Sequence, residues 1–252
     1  MTIHLSYSAE QRIATLTIDR PAQRNSLNTE ALRALQAIAV ELAAAQRCRA
    51  VIVTASGSQS FCAGAALDQL GSGELSSEQY ADAMDVVAAI RQPTIALLNG
   101  NAYGGGAELA LCCDYRIAAA PFQIVIPPAA LGLCYPPRGL ARYVARLGGS
   151  AARQLFLSAQ PCPAEQLLRI GYLTHLVDAS RLDAVAQQLA EQLCSLSPLA
   201  VRTMKEIFNL FEQPDLQQLQ RAQQLAEQCN SGADLAEGLA AVAAKRPPVF
   251  SD

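Results

Sequence analysis

Charged residues are scarce in this chain of 252 residues, since Asp, Glu, Lys and Arg make up 16% of it. About 25% is usual for globular domains. Hydrophobic residues reach 51%, and this composition excludes intrinsic disorder and provides for a large core. The low share of charge also predicts that part of the surface is buried against other subunits. The net charge of -3 excludes a general basic field for binding nucleic acid or an anionic membrane.

Histidine is nearly absent, and the sequence contains no Cys-x-x-Cys pair. With only His4 and His175 available, the sequence offers no recognisable zinc site. The eight cysteines lie in apolar stretches, and we expect reduced, buried thiols. No apolar run is long enough to cross a membrane, and the opening Met1-Thr2-Ile3-His4 has no signal-peptide pattern. We therefore expect a soluble protein of the cytoplasm.

Strand and helix patterns alternate in the first half of the chain. Residues 12–18 alternate apolar and polar side chains, which predicts a half-buried strand, and residues 50–54 predict a buried one. Between them, Leu32, Leu35, Ile38 and Leu42 recur at helical spacing behind a possible cap at Asn28 or Thr29. From about residue 138 the pattern is helical, including segments at 138–147 and 150–157, and no linker interrupts it. The sequence predicts one α/β core of stacked strand–helix units with a helical C-terminal region.

Two loops rich in small residues each follow a predicted buried strand. They read SFCAGAAL at residues 60–67 and GNAYGGGAE at residues 100–108. Small residues let a backbone approach a ligand closely. Neither loop matches the GxGxxG fingerprint or the phosphate-binding P-loop. The loops therefore indicate a ligand site without identifying the ligand.

Five motifs in order along the chain point to a known family. They are RNSLN at 24–28, FCAGA at 61–65, NGNAYGGGAELAL at 99–111, CDYRIA at 113–118 and KRPPVF at 245–250. Together they resemble the enoyl-CoA hydratase/isomerase (crotonase) superfamily over essentially the whole chain. The resemblance implies a crotonase-like spiral of ββα units over residues 1–195. It also implies that residues 196–252, within the same structural unit, mediate trimerisation and cover the CoA.

The resemblance further implies an acyl-CoA thioester as substrate. CoA is then part of the substrate, no other cofactor or metal is implied, and the expected assembly is a homotrimer or a dimer of trimers. By matching positions, the N–H groups of Ala65 and Gly105 form an oxyanion hole. Fixed donors suit a thioester carbonyl that becomes an enolate, because they stabilise the new charge without reorganising. The residues implied in substrate and CoA binding, with Lys245 near the phosphates, are Arg24, Ser26, Leu27, Ala63, Ala65, Leu67, Gly104, Gly105, Pro128, Leu131 and Lys245.

Glu108 stands where hydratases of the family carry one of two water-activating glutamates. On the residues alone, a first-turn carboxylate that complements a helix dipole is the favoured interpretation, and the flanking glycine-rich loop and the family match favour catalysis. Pro128 occupies the position of the second glutamate, so hydration by two carboxylates is not expected. We expect Glu108 to act as the lone acid/base of a hydratase or isomerase that works through a stabilised thioester enolate.

Two alternatives remain open at this point. The segment LGLCY at 131–135 is similar to the tyrosine-bearing segment of methylmalonyl-CoA decarboxylases, which suggests a methylmalonyl-CoA or malonyl-CoA decarboxylase. Tyr135 then contacts the departing carboxylate, or it is a wall of the pocket. In the other alternative the protein is a catalytically weak acyl-CoA-binding partner of another enzyme.

Other chemistry-bearing residues are interpreted as structural. His175 is expected near a helix end, far from both loops, and Asp114 at a helix end or an interface. Cys62 and Cys134 flank the expected pocket, but neither has a nearby histidine that would generate a thiolate nucleophile.

Overall fold

The computed structural model describes residues 2–212 and 215–250. Its strands are β1 (Ile3–Tyr7), β2 (Ile13–Ile18), β3 (Ala50–Ala55), β4 (Ser60–Cys62), β5 (Thr94–Leu98), β6 (Asn101–Tyr103), β7 (Tyr115–Ala119), β8 (Gln123–Val125), β9 (Cys162–Pro163) and β10 (His175–Val177). Its helices are α1 (Thr29–Ala44), α2 (Leu67–Ser72), α3 (Ser77–Ala88), α4 (Gly105–Cys112), α5 (Pro137–Ser158), α6 (Ala164–Arg169), α7 (Leu182–Ser195), α8 (Pro198–Phe211), α9 (Leu216–Asn230) and α10 (Ala233–Ala243).

Consecutive strands are divided between two sheets. Over the described ranges, the larger sheet has the order β1-β2-β3-β5-β7-β10 and is parallel except for the β1–β2 pair. The smaller sheet has the order β4-β6-β8-β9, with β8 and β9 antiparallel. The pairs β3–β4, β5–β6 and β7–β8 each give one strand to each sheet before the chain enters a helix. This is the predicted spiral of ββα units, and the α/β fold class is confirmed.

The apolar stripe predicted for α1 faces the core. Asn28 caps the helix, since its side-chain oxygen accepts a hydrogen bond from the Ala31 N–H at 2.9 Å. Leu35 and Leu42, at helical spacing, are almost completely buried, and α1 packs against α3. Helix α3 begins with a capping box between Ser76 and Gln79, which fixes its first turn.

Helix α4 lies at the centre of the molecule. All eight of its residues, Gly105–Cys112, are buried, as befits a helix that is apolar on every side. The chain enters it from β6 through Gly104, whose φ of +48° and ψ of -117° favour glycine. The first turn of α4, including Glu108, is therefore held deep in the core.

The C-terminal half is helical, as predicted. The predicted helices at 138–147 and 150–157 correspond to the single helix α5, which breaks at Gly148 with φ +78°. The division at residue 195 stays a prediction, and Met1, 213–214 and 251–252 lie outside the described residues. None of the helices in the described ranges has the length and apolar character needed to span a membrane. Helix α8 exposes several large apolar side chains: Leu199, Met204, Ile207, Phe208, Leu210 and Phe211.

Candidate active site

The two loops of small residues meet at the start of α4. A Cβ atom added to Gly64 would lie 2.8 Å from the Tyr103 carbonyl oxygen and 2.9 Å from the Gly105 nitrogen. One added to Gly106 would lie 2.1 Å from the Cys62 carbonyl oxygen. These separations are too short for real carbon atoms, so only glycine lets the loops approach in this way. The glycines thus fix the relative position of the loops.

The amides of Ala65 and Gly105 are placed as donors at the junction. The Leu27 N–H donates to the Gly64 oxygen at 2.7 Å, and the Ala66 N–H donates to the Leu27 oxygen at 2.9 Å. Because this parallel bridge uses the groups on either side of Ala65, the Ala65 N–H itself points away from Leu27. Gly105 is the first residue of α4, where N–H groups have no acceptor within the helix. Both residues line the same pocket, so each amide can donate to a ligand there.

A pocket of about 120 Å³ opens beside these amides. No residue with a charged side chain occurs among the described residues that line it. The predicted residues in its wall are Ala63, Ala65, Leu67, Gly104, Gly105, Pro128, Leu131 and Tyr135. The wall also contains Leu70, Ser77, Tyr80, Tyr103, Pro127, Leu133 and Pro136.

Glu108 lies behind the pocket wall rather than in it. Its side chain is 1% exposed, and Tyr135 separates it from the pocket. The Tyr135 hydroxyl donates a hydrogen bond to Glu108 Oε2 at 2.6 Å, and Arg142 forms an ion pair with Oε1. Both carboxylate oxygens are thus engaged within the chain. Tyr135, and not Glu108, borders the space that a ligand would occupy.

Burial dominates the electrostatics of this group of side chains. It raises the pKa of Glu108, and the Arg142 cation and the Tyr135 hydrogen bond offset part of the rise. Burial and the Glu108 carboxylate also raise the pKa of Tyr135 well above its usual value, so the phenol remains a donor. Arg142 also pairs with Asp85, which accepts a hydrogen bond from Arg138 at 2.5 Å. Alternating charges therefore connect the buried carboxylate to the surface.

Sequence reasoning missed Tyr80, which lines the pocket together with Tyr103 and Tyr135. Tyr80 lies in the first turns of α3 and is 5% exposed. A Cβ atom added to Gly105 would lie 2.3 Å from the Tyr80 hydroxyl oxygen. That oxygen is buried and has no hydrogen-bond partner within residues 2–212 and 215–250. In the sequence, Tyr80 occupies an apolar position of an amphipathic helix, and nothing distinguishes it from a core residue.

Arg142 and Asp85 were missed for a different reason. Each lies in a helix, where charged residues are common and do not by themselves indicate a role in a site. Their partners are distant in sequence: Arg142 lies 34 residues from Glu108 and 57 from Asp85. A pairing over such separations follows from the packing of α3, α4 and α5, which leaves no local pattern.

Four residues expected to bind CoA lie outside this pocket wall, and one of them, Leu27, is completely buried. The Arg24 carbonyl oxygen accepts a hydrogen bond from the Ala63 N–H at 3.0 Å, and Arg24 borders a neighbouring groove. Ser26 lies in the same segment, next to Leu27. Lys245 is exposed just after α10. Their contact with CoA stays a prediction.

The residues interpreted as structural have structural contacts. His175 lies in strand β10 rather than near a helix end, and its Nδ1 is 2.9 Å from the Thr174 hydroxyl. Asp114 accepts hydrogen bonds from Lys205 Nζ and from the Thr94 N–H, each at 2.7 Å, and so ties α8 to β5. Burial raises the pKa of Cys62 to about 12, which opposes thiolate formation.

Comparison with known proteins agrees with this architecture. The family model for enoyl-CoA hydratase/isomerase matches residues 8–252. The chain is 32% identical over 212 residues to a short-chain-enoyl-CoA hydratase of Clostridium acetobutylicum, covering 82% of this chain and 81% of that protein. It is 31% identical over 251 residues to a crotonyl-CoA hydratase of Syntrophomonas wolfei, covering 96% and 95%.

Solved structures agree on the fold. The crystal structure of a methylmalonyl-CoA decarboxylase superposes with a TM-score of 0.89 and covers 100% of this chain and 98% of its own. Sequence identity there is 23%, so that similarity concerns the fold alone. The family match spans both loops, the Tyr135–Glu108 pair and nearly all of the chain. The chain therefore belongs to the enoyl-CoA hydratase/isomerase family.

Proposed function

We propose that this chain is an acyl-CoA enzyme of the hydratase/isomerase kind that forms and discharges a thioester enolate. The Ala65 and Gly105 amides bind the thioester oxygen, and Tyr135 with Glu108 moves the proton at the α-carbon. The observation that carries this proposal is the 2.6 Å hydrogen bond from Tyr135 to Glu108, in the wall of the pocket that both amides border. A volume of about 120 Å³ favours a short acyl group, since pockets for drug-sized ligands measure roughly 300–1,000 Å³.

Proton transfer runs through Tyr135 because Glu108 has no direct place in the pocket wall. The α C–H bond breaks, its proton goes to the Tyr135 oxygen, and the former Tyr135 hydroxyl proton passes to Glu108. The electron pair of the broken bond becomes part of the enolate, whose oxygen accepts from the two amides. Burial raises the pKa of Glu108 and makes it a stronger base. Return of the proton to the γ-carbon of an unsaturated acyl group completes an isomerisation, whereas its return to the α-carbon gives exchange. In hydration, water adds to the β-carbon of an enoyl thioester, one of its protons reaches Glu108 through Tyr135, and delivery of that proton to the α-carbon of the enolate completes the addition.

Decarboxylation is the second candidate, and Pro128 favours it. Pro128 lines the pocket where a second glutamate would activate water. Loss of CO₂ from a malonyl-type thioester leaves its electron pair as the enolate, which then takes a proton at the α-carbon from Tyr135. This route requires no water-activating base. An uncharged wall also removes water from the substrate carboxylate, which promotes its loss.

The assembly and surroundings of the enzyme form a further part of the proposal. A homotrimer, or a dimer of trimers, would cover the apolar side chains that α8 exposes, including Phe208 and Phe211. Lys245 would meet the CoA phosphates. The steps above use groups of the chain and the substrate, and CoA enters as part of that substrate. Eight free cysteines, six of them buried, are consistent with a reducing compartment such as the cytoplasm.

Enolate formation is tested by exchange of the α-protons of butyryl-CoA in D₂O, measured by mass spectrometry. The native chain should incorporate deuterium, and Tyr135→Phe and Glu108→Gln should each slow the exchange about 10²–10⁴-fold. Tyr143→Phe is the control, because this tyrosine is buried outside the pocket wall. Equal exchange in Tyr135→Phe and the native chain would refute the proposed proton path.

A substrate panel then separates the candidate reactions. Loss of the conjugated absorbance of crotonyl-CoA supports hydration, and release of CO₂ from methylmalonyl-CoA or malonyl-CoA supports decarboxylation. Tight binding of butyryl-CoA without exchange or turnover would instead identify a binding partner, and would overturn the proposed catalysis.

A further inference from the structure

The Tyr80 hydroxyl is a buried polar group of the pocket that the chemistry above leaves unused. The ring of Tyr80 lines the pocket and lies against the Cα of Gly105. Tyr135 differs, because its hydroxyl already donates to Glu108. Tyr143, another buried phenol, packs edge-on against Phe156 at 4.8 Å and is not part of the pocket wall. Tyr80 alone among these three combines a wall position with a hydroxyl that makes no hydrogen bond in the described part of the chain.

A buried hydroxyl without a partner is costly, because it has given up its hydrogen bonds to water. Phenylalanine would fill the same space beside Gly105 without that cost. Burial raises the pKa of the Tyr80 phenol well above its usual value, so the hydroxyl keeps its proton and can donate. Because Tyr80 lines the pocket, a bound ligand can supply the missing acceptor.

The position of the Tyr80 hydroxyl beside Gly105 indicates which ligand atom would accept its hydrogen bond. The hydroxyl oxygen would be only 2.3 Å from a Cβ of Gly105, and a Cβ is bonded to the same Cα as the amide nitrogen. An oxygen that accepts from the Gly105 N–H therefore lies within reach of the Tyr80 hydroxyl. Most of the other residues that line the pocket have apolar side chains.

We propose that the Tyr80 hydroxyl donates a hydrogen bond to the thioester oxygen of the bound acyl-CoA, as a third donor beside the Ala65 and Gly105 amides. This assignment rests on the proposed function, because it assumes that the thioester binds at those amides. The phenol would contact the carbonyl oxygen in the substrate and strengthen its hydrogen bond as charge develops in the enolate. Removing one donor of this type lowers kcat about 10²–10³-fold.

The test measures the carbonyl directly. Butyryl-CoA labelled with ¹³C at its carbonyl carbon is bound to the native chain, Tyr80→Phe and Tyr143→Phe, and its carbonyl stretch is recorded by infrared difference spectroscopy. Hydrogen-bond donors polarise the carbonyl and lower this frequency. We expect a lower frequency on the native chain than in water, a partial return towards the free value in Tyr80→Phe, and no change in Tyr143→Phe. Both variants should have a Tm at or above the native value, since each loses only a buried hydroxyl without a protein partner.

The outcomes separate the two proposals. A shifted frequency on the native chain that stays unchanged in Tyr80→Phe would refute the role of Tyr80 and leave the oxyanion hole intact. A frequency on the native chain equal to that of free butyryl-CoA would refute binding of the thioester oxygen at the amides, and with it the proposed function. A partial loss of the shift together with slower α-proton exchange in Tyr80→Phe alone would support the third donor.

Discussion

Replacing Arg142 with methionine should expose the energetic dependence of the buried Glu108 carboxylate on its cation. Arg142 is 9% exposed and Glu108 is 1% exposed. Removing one member of a buried ion pair leaves an uncompensated charge and costs about 3–5 kcal/mol. Methionine retains much of the arginine stem's packing, so the loss reports chiefly on charge. We expect Arg142→Met to lower the free energy of unfolding by about that amount at neutral pH.

The stability lost in Arg142→Met should be larger at neutral pH than at acid pH. Burial raises the folded-state pKa of Glu108 above its ordinary 4.5, and Arg142 opposes this rise, so its removal raises the pKa further. A raised carboxyl pKa means that the folded state binds the proton more tightly than the unfolded state. The difference between variant and native chain should therefore be largest at neutral to mildly alkaline pH. It should shrink as the pH falls through the folded-state pKa of Glu108.

Urea denaturation between pH 5 and 8 measures this, with Arg138→Met as the matched control. Arg138 lies one turn earlier in α5, is 27% exposed and pairs with Asp82 and Asp85 near the surface. Its loss should cost no more than about 1 kcal/mol, with little dependence on pH. Arg142→Met combined with Glu108→Gln should regain much of the stability. A cost for Arg142→Met that matches the control, or stays constant with pH, would refute the reasoning.

Two further substitutions test the packing around the site. Gly106→Ala should lower the free energy of unfolding by about 1–3 kcal/mol, because its Cβ would lie 2.1 Å from the Cys62 carbonyl oxygen. Gly71→Ala is the control in thermal denaturation, since its Cβ would make an ordinary 3.6 Å contact; equal Tm values for the two variants would contradict the prediction. Lys205→Met should cost about 1.5–3 kcal/mol, because it removes the charged hydrogen bond to Asp114. Urea titration checks this, and an unchanged midpoint would show that the pair contributes nothing.

Local patterns predicted the features that depend on neighbours in sequence. The spacing of Leu35 and Leu42 predicted the buried face of α1, and Asn28 was among the expected caps. The two loops of small residues were recognised because close backbone approach requires small side chains. Eight of the predicted site residues line the pocket, because they lie in those loops or in the segment that contains Pro128 and Tyr135.

Features that depend on distant partners were not predictable in the same way. The sequence suggested that Glu108 acts as a direct acid/base, but the structure puts Tyr135 between it and the pocket. The identity of an acceptor or a counter-ion depends on how helices pack. Neither Arg142 nor Tyr80 carries a local sign of its partner. The family resemblance predicted the site residues. The ion pairs and hydrogen bonds around Glu108 follow from the packing of α3, α4 and α5 and could not be predicted from the sequence.

The proposed use of main-chain amides as oxyanion donors has a consequence for how new enzymes arise from this scaffold. Replacing Ala65 by any residue other than proline leaves its N–H in place, so these donors resist most mutations. Pro128 and Leu131, in contrast, are wall residues outside the proposed proton path, and their side chains can be exchanged one at a time. A library of variants restricted to these wall residues would retain the enolate intermediate and change only the step that follows it. Such a library is a direct route to redesigning the reaction while the catalytic frame stays fixed.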